Sequence, residues 1–434
     1  MSERTDDLLA RHKAVLPDWL TLYYDEPIEI VSGSGRRVTD DAGRSYLDFF
    51  GGVLTNMLGY DIPEIQEALR RQLATGVVHT STLYLIRNQV ELAEKIARLS
   101  GIPDARVFFT NSGSEANEAA LLLATNYRRS NQILAVRNSY HGRTYATMGV
   151  TGNRTWSSSA LNPLNVSFLH SGDRMRGLLA GLPDEQHIDA AVADLREVLA
   201  TTTAGDVAAL IAEPVQGVGG FVHAPDGLFA AYRKVLDEQG ALFISDEVQT
   251  GWGRTGEHFW GYQAHGVVPD LLTFAKGIGN GLALAGVVGR ADVMNSVAGI
   301  SFSTFGGNPL STAGGNAVVD YVLAHDLQGN AARVGGLLLD GLRGALGRYR
   351  IVGDVRGKGL MLAIEFVEPG TTNPNGYATV RVFEECRRGG LLVGKGGLYG
   401  NTVRMGPPLT LTDDEAREGL EILLNAIATV DASS

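Results

Sequence analysis

From Tyr60 to about His325, short apolar runs alternate with stretches in which apolar residues recur every three or four positions. Residues 107–109, 133–136, 208–211, 241–244 and 271–274 are apolar at nearly every position. Such runs suit strands buried on both faces, not strands with one wet side. Residues 63–73 put Ile65, Leu69 and Leu73 on one side of a helix, a stripe able to cover a sheet. The alternation predicts an α/β domain with a mostly parallel sheet flanked by helices.

The two ends read differently. Residues 1–59 predict an N-terminal arm with a helix and a small β meander. Ile28-Glu29-Ile30 alternates apolar and polar positions. It and Tyr46-Leu47-Asp48-Phe49 flank the turn-rich Asp40-Asp41-Ala42-Gly43, so a hairpin is expected. Residues 326–434 mix shorter strands, near 351–356 and 360–366, with an amphipathic helix from Asp413 to about Val430 and a polar loop at 369–376. They predict a smaller α+β domain to which the arm adds. The expected division is 1–59, 60–325 and 326–434.

Composition narrows the function. The chain of 434 residues is 44% hydrophobic, enough for a large core and two or three domains. A formal net charge of −11 argues against nucleic acid or an anionic membrane as a partner, since both would repel it. Any anionic cofactor then needs a local positive site. Cys386 is the only cysteine, which excludes an intramolecular disulfide and a cysteine-based metal cluster. It lies in a helical-looking stretch and reads as core. The polar, acidic start lacks a signal-peptide core, and no run approaches the roughly 18 apolar residues of a membrane span. A cytoplasmic location is expected.

Asp246 and Lys276 each follow an apolar strand. In an open α/β sheet, ligands bind outside the carboxyl ends of the strands, so both point to one crevice. A buried aspartate can keep a pyridine nitrogen protonated, and a lysine amine can form an imine with an aldehyde and then move a proton. Either residue alone reads more simply, Asp246 as a turn cap and Lys276 as a surface lysine. Two neighbouring segments change the balance. Asn111-Ser112-Gly113-Ser114-Glu115-Ala116-Asn117 sits where a strand gives way to a helix, and helix N-termini bind phosphate. Ser112, Gly113 and Ser114 offer hydroxyls and close backbone approach, although a plain N-cap accounts for the same serines. Tyr140-His141-Gly142 also follows a strand, and Tyr140 can stack on an aromatic ring. His141 reads as an ordinary hydrogen-bonding residue with no catalytic role, and no histidine spacing suggests a metal.

These segments resemble the class III aminotransferases, a branch of the fold-type-I enzymes that use pyridoxal 5′-phosphate (PLP). So do Ser139-Tyr140-His141-Gly142-Arg143-Thr144, Ala212-Glu213-Pro214-Val215-Gln216-Gly217, Ser245-Asp246-Glu247-Val248-Gln249-Thr250-Gly251, Thr273-Phe274-Ala275-Lys276-Gly277 and Ser303-Thr304-Phe305-Gly306-Gly307-Asn308-Pro309-Leu310. Within that family, Phe49-Phe50-Gly51-Gly52-Val53, His258-Phe259-Trp260-Gly261-Tyr262-Gln263 and residues 389–397 look most like the alanine–glyoxylate aminotransferase 2 group.

The resemblance implies that Lys276 forms an imine with the cofactor and shuttles the substrate proton. It implies that Asp246 pairs with the pyridine nitrogen, Val248 packs under the ring, Tyr140 stacks above it and Gln249 lies near the ring hydroxyl. Gly113 and Ser114 would hold the phosphate, helped by Thr304 from a neighbouring subunit. Arg404 would grip the substrate carboxylate. The implied enzyme is a homodimeric transaminase with shared active sites, taking an amino donor (alanine, a β-amino or an ω-amino acid) and a small oxo acid such as pyruvate or glyoxylate. A PLP-dependent decarboxylase or aminomutase would use the same residues, and a non-catalytic PLP-binding protein is the reading from another class. Two departures stand out: Gly59-Tyr60-Asp61-Ile62-Pro63 replaces a usual Gly-His-x-His-Pro, and Val218 stands where glutamate-using members carry a glutamate.

Overall fold

The computed structural model describes residues 3–159 and 161–433. After a helix at Glu3–Val15, strands β1 (Ile30–Ser34), β2 (Arg37–Asp40) and β3 (Ser45–Asp48) form an antiparallel meander. The turn at 40–43 does lie in a hairpin, but it joins β2 to β3; the strand expected at Ile28-Glu29-Ile30 begins at Ile30 and pairs with β2 on its other edge. Asp40 fixes that turn by accepting from the Ala42 and Arg44 N–H groups and from the Tyr46 hydroxyl.

The central sheet contains β4 (Ala105–Thr110), β5 (Gln132–Val136), β6 (Asn165–Leu169), β7 (Val207–Ala212), β8 (Leu242–Asp246), β9 (Leu271–Phe274) and β10 (Ala285–Arg290). Their spatial order is β4-β10-β9-β8-β7-β5-β6. Only β10 runs against the others, so the sheet is mostly parallel. β7, β8 and β9 are buried along their whole length, which accounts for their unbroken apolar runs. The helix expected at 63–73 spans Pro63–Ala74. It packs on the Pro309–Ala324 helix, not directly on the sheet, and Leu73 is half exposed. A helix resting on one other helix needs a narrower apolar stripe than one lying on a sheet.

A third sheet is built from β11 (Val352–Lys358), β12 (Met361–Phe366), β14 (Gly394–Gly396) and β15 (Thr402–Met405), while β13 (Leu391–Leu392) joins β3 in parallel. The chain thus returns to its N-terminal meander. Asp413–Asp431 closes the fold as a helix, with Thr412 and Glu415 forming a reciprocal cap at its start. Cys386 is fully buried in the Gly376–Arg388 helix, as expected. Among the described residues, no helix is long and apolar enough to cross a membrane, and no group of three or more His, Cys, Asp or Glu could hold a metal ion.

Candidate active site

Asp246 ends β8 and pairs in register with Thr273 of β9, three residues before Lys276. Adjacent parallel strands therefore deliver both groups to one edge. Asp246 is buried, and both of its carboxylate oxygens have partners. Oδ2 accepts from Asn117 Nδ2 at 2.7 Å and lies 2.8 Å from His141 Nδ1, while Oδ1 accepts the Val248 N–H at 3.1 Å. Asn117 is itself held, since its Oδ1 accepts from the Thr273 hydroxyl and its Nδ2 also donates to the His141 carbonyl. A carboxylate fixed by several donors keeps one orientation.

His141 and Asn117 are the functional residues that sequence reasoning missed. His141 is hydrogen-bonded, as expected, but to the central aspartate. Asn117 lies in the segment 111–117, whose serines and glycine point to phosphate binding. Each meets Asp246 across more than a hundred residues of chain, and no local pattern reveals such a contact.

Lys276 sits at φ +50°, a strained conformation for a side chain with a Cβ. Burial lowers its basicity, with Arg404 acting in the same direction and Asp246 and Glu213 opposing. Four site groups from four parts of the chain therefore share one electrostatic environment. The turn after Asp246 is pinned by Glu247, which accepts from the Gly261 and Tyr262 N–H groups at 2.8 Å each and from the Ser245 hydroxyl. That turn presents Val248 and Gln249. A Cβ on Gly113 would come within 3.1 Å of Val248, and one on Gly217 within 2.1 Å of Gln249 Nε2.

The Gly113–Arg128 helix begins at the end of β4. Ser112 acts as its N-cap, accepting from the Glu115 N–H, and Ser114 Oγ accepts from the Arg143 N–H. The plain capping role of Ser112 is thus real. It leaves the first N–H groups of the helix without intrahelical partners. Tyr140 is half-buried, its ring edge-on to Trp156 at 5.5 Å, and its N–H donates to Glu213. Glu213 also accepts from the Gly217 N–H, and burial pushes its carboxyl up to about 7.

Arg404, on β15, is buried between the rings of Phe50 and Phe221. It donates to the carbonyls of Gly217 (Nη1, 2.7 Å) and Lys395 (Nη2, 2.9 Å). Among the described residues it forms no ion pair with a carboxylate. Val218 is buried and offers no charge. Tyr60 donates to Asp48 at 2.6 Å, and Asp48 accepts the Phe50 and Gly51 N–H groups. Tyr60, at the position of the usual histidine, is thus linked through Asp48 to the Phe50 turn beside Arg404. Thr304 is exposed, and its neighbour Ser303 accepts from Asn111 Nδ2 just before the helix start.

The aminotransferase class-III family model matches residues 23–427. The chain belongs to the class III aminotransferases. It is 39% identical to alanine–glyoxylate aminotransferase 2 homolog 2, mitochondrial, of Arabidopsis thaliana, over 95% of this chain and 85% of that one. It is 35% identical to the human alanine–glyoxylate aminotransferase 2, mitochondrial, over 97% and 86%. A solved amine transaminase from an uncultivated Pseudomonas species, in its PLP-bound form, superposes with a TM-score of 0.87 at 33% identity, covering 93% of this chain and 95% of its own.

The protein is a PLP-dependent aminotransferase, and its residues fit that cofactor. Gln249 Oε1 is buried without a hydrogen-bond partner among the described residues, Oδ1 of Asp246 takes only a backbone N–H, and the helix start beyond Ser112 is free to receive an anion.

Proposed function

We propose that this aminotransferase takes an amino group from alanine, a β-amino acid or an ω-amino acid and passes it to pyruvate or glyoxylate in a ping-pong sequence. The observation that carries the choice of acceptor is the state of Arg404, buried, bonded to the Gly217 and Lys395 carbonyls and to the Tyr23 side chain, with no carboxylate paired to it among the described residues. Burial also weakens its hold on its proton, which a bound carboxylate would reverse. Val218 cannot cover it in either half-reaction. A single carboxylate meets the guanidinium through two parallel hydrogen bonds. The far carboxylate of 2-oxoglutarate needs a second cation, because leaving it buried and unpaired is costly.

In this reading PLP, when bound, supplies the electron sink for charge left on the substrate carbon. Asp246 Oδ1 keeps a proton on the pyridine nitrogen. Lys276 Nζ, made less basic by burial, takes and returns the proton at the substrate carbon that bears nitrogen. Tyr140 and Val248 provide the surfaces for the ring, Gln249 a hydrogen bond for its hydroxyl, and Ser112, Gly113 and Ser114 the phosphate site. His141 and Asn117 are positioning residues acting through Asp246.

Homodimerisation is part of the proposal. Ile300, Phe302 and Phe305 are exposed around Thr304, and the Phe305 ring meets His79 at 4.9 Å, next to exposed Leu83, Tyr84 and Leu85. An apolar surface of this kind suits a partner copy, whose Thr304 would complete the phosphate site. The division into 1–59, 60–325 and 326–434 and a cytoplasmic location are the remaining proposals. A lone buried cysteine suits a reducing compartment. Comparing kcat/KM for pyruvate, glyoxylate and 2-oxoglutarate with one good donor tests the acceptor. A clear preference for 2-oxoglutarate overturns it.

A further inference from the structure

The segment that gives its Gly217 carbonyl to Arg404 gives Gly219 to the wall of a different cavity, of about 370 Å³. None of the residues assigned above to cofactor or substrate lines it. Its size falls within the range of small-molecule sites, which begin at about 300 Å³.

Its walls are positive in a chain whose net charge is −11. Arg137, Arg154 and Arg176 all line it. Among the described residues Arg137 and Arg154 form no ion pair with a carboxylate. Arg137 instead sets Nη1 2.8 Å from His170 Nδ1. A guanidinium only donates, so that nitrogen is the acceptor. Arg176 gives Nε to Glu365 at 2.6 Å, while its Nη2 is buried with no partner. Thr402 is fully buried, and its hydroxyl has no partner either.

Of the two carboxylates in the wall, Glu365 is the one paired with cations. Glu365 is shared between Arg176, Arg356 and Asn401. Asp173 accepts the N–H groups of Met175 and Arg176, and burial raises its carboxyl above the ordinary range. The wall thus carries three guanidinium groups against two carboxylates.

We propose that this cavity is a second binding site, separate from the amino-transfer centre, for a small molecule bearing a carboxylate or phosphate group. Arg137 and Arg154 supply the charge, and Arg176 Nη2 and the Thr402 hydroxyl supply directed hydrogen bonds.

The test is calorimetric titration of PLP-loaded enzyme with malonate and, separately, inorganic phosphate. Arg404→Gln removes the carboxylate contact of the substrate site, so any remaining anion binding is read in that background. One anion per chain is expected there, with affinity falling at least about tenfold when Arg137→Gln and Arg154→Gln are added. Both arginines are exposed, so the fold should keep its thermal midpoint. In the wild-type background the same pair should leave kcat unchanged without added anion. If Arg404→Gln fails to load cofactor, the comparison is made in wild type as two anions per chain against one. The tighter probe names the group. Binding of neither probe, or equal affinity with and without Arg137 and Arg154, overturns the proposal.

Discussion

Replacing Asn117 with leucine removes the amide that fixes Asp246 while keeping nearly the same volume. Three hydrogen bonds go: to Asp246 Oδ2 at 2.7 Å, to the His141 carbonyl at 2.8 Å and from the Thr273 hydroxyl at 2.7 Å. A bond to a charged group contributes about 1.5–3 kcal/mol and a neutral one about 1 kcal/mol, which gives a loss of about 3–5 kcal/mol. With an unfolding entropy of roughly 2.1 cal/mol/K per residue, the Tm should fall by about 4 °C. The catalytic effect follows from the charged bond alone. Asp246 keeps only His141 on Oδ2, and a loss of about 1.5–3 kcal/mol in its orientation lowers kcat about 10- to 100-fold. Stopped-flow kinetics of the donor half-reaction, with a thermal melt of the same sample, measures both. A variant with wild-type kcat and unchanged cofactor affinity refutes the view that Asn117 positions Asp246.

Other outcomes are expected. Lys276→Ala should reduce turnover to background in a coupled amino-transfer assay while the fold survives, as circular dichroism would report. Gly217→Ala should push Gln249 aside, because the added Cβ lies 2.1 Å from its Nε2; fluorescence titration should show PLP affinity lowered about 5- to 10-fold. Glu213→Gln should flatten the pH dependence of stability. The carboxyl is pushed up to about 7 from an ordinary 4.5, so the folded chain holds a proton that the unfolded chain releases in that window. Wild-type stability therefore falls as pH rises through it, and the variant lacks that slope. Melts at pH 5 and pH 8 give the comparison, and parallel curves contradict it.

The central sheet was legible because its strands are buried on both faces and announce themselves as apolar runs. β10 was not expected: Ala285-Gly286-Val287-Val288-Gly289-Arg290 is half small residues. A Cβ at Gly286 or Gly289 would strike neighbouring strands or side chains, so close packing, not hydrophobicity, dictates those residues. β6 was also missed, since its edge position leaves it partly exposed and polar. The residues with suitable chemistry at the strand ends, Asp246 and Lys276, could be picked out by place and type. Their supports could not. His141 and Asn117 look like ordinary polar residues until the fold brings them to one carboxylate, and Glu213 becomes unusual only through its burial.

The most direct test of the account is where the cofactor attaches. Borohydride reduction of the PLP-loaded enzyme, followed by digestion and mass mapping, should leave a pyridoxyl phosphate group on the peptide carrying Lys276 and on no other. The same label on a different lysine, or unlabelled protein that still transfers amino groups, would contradict it.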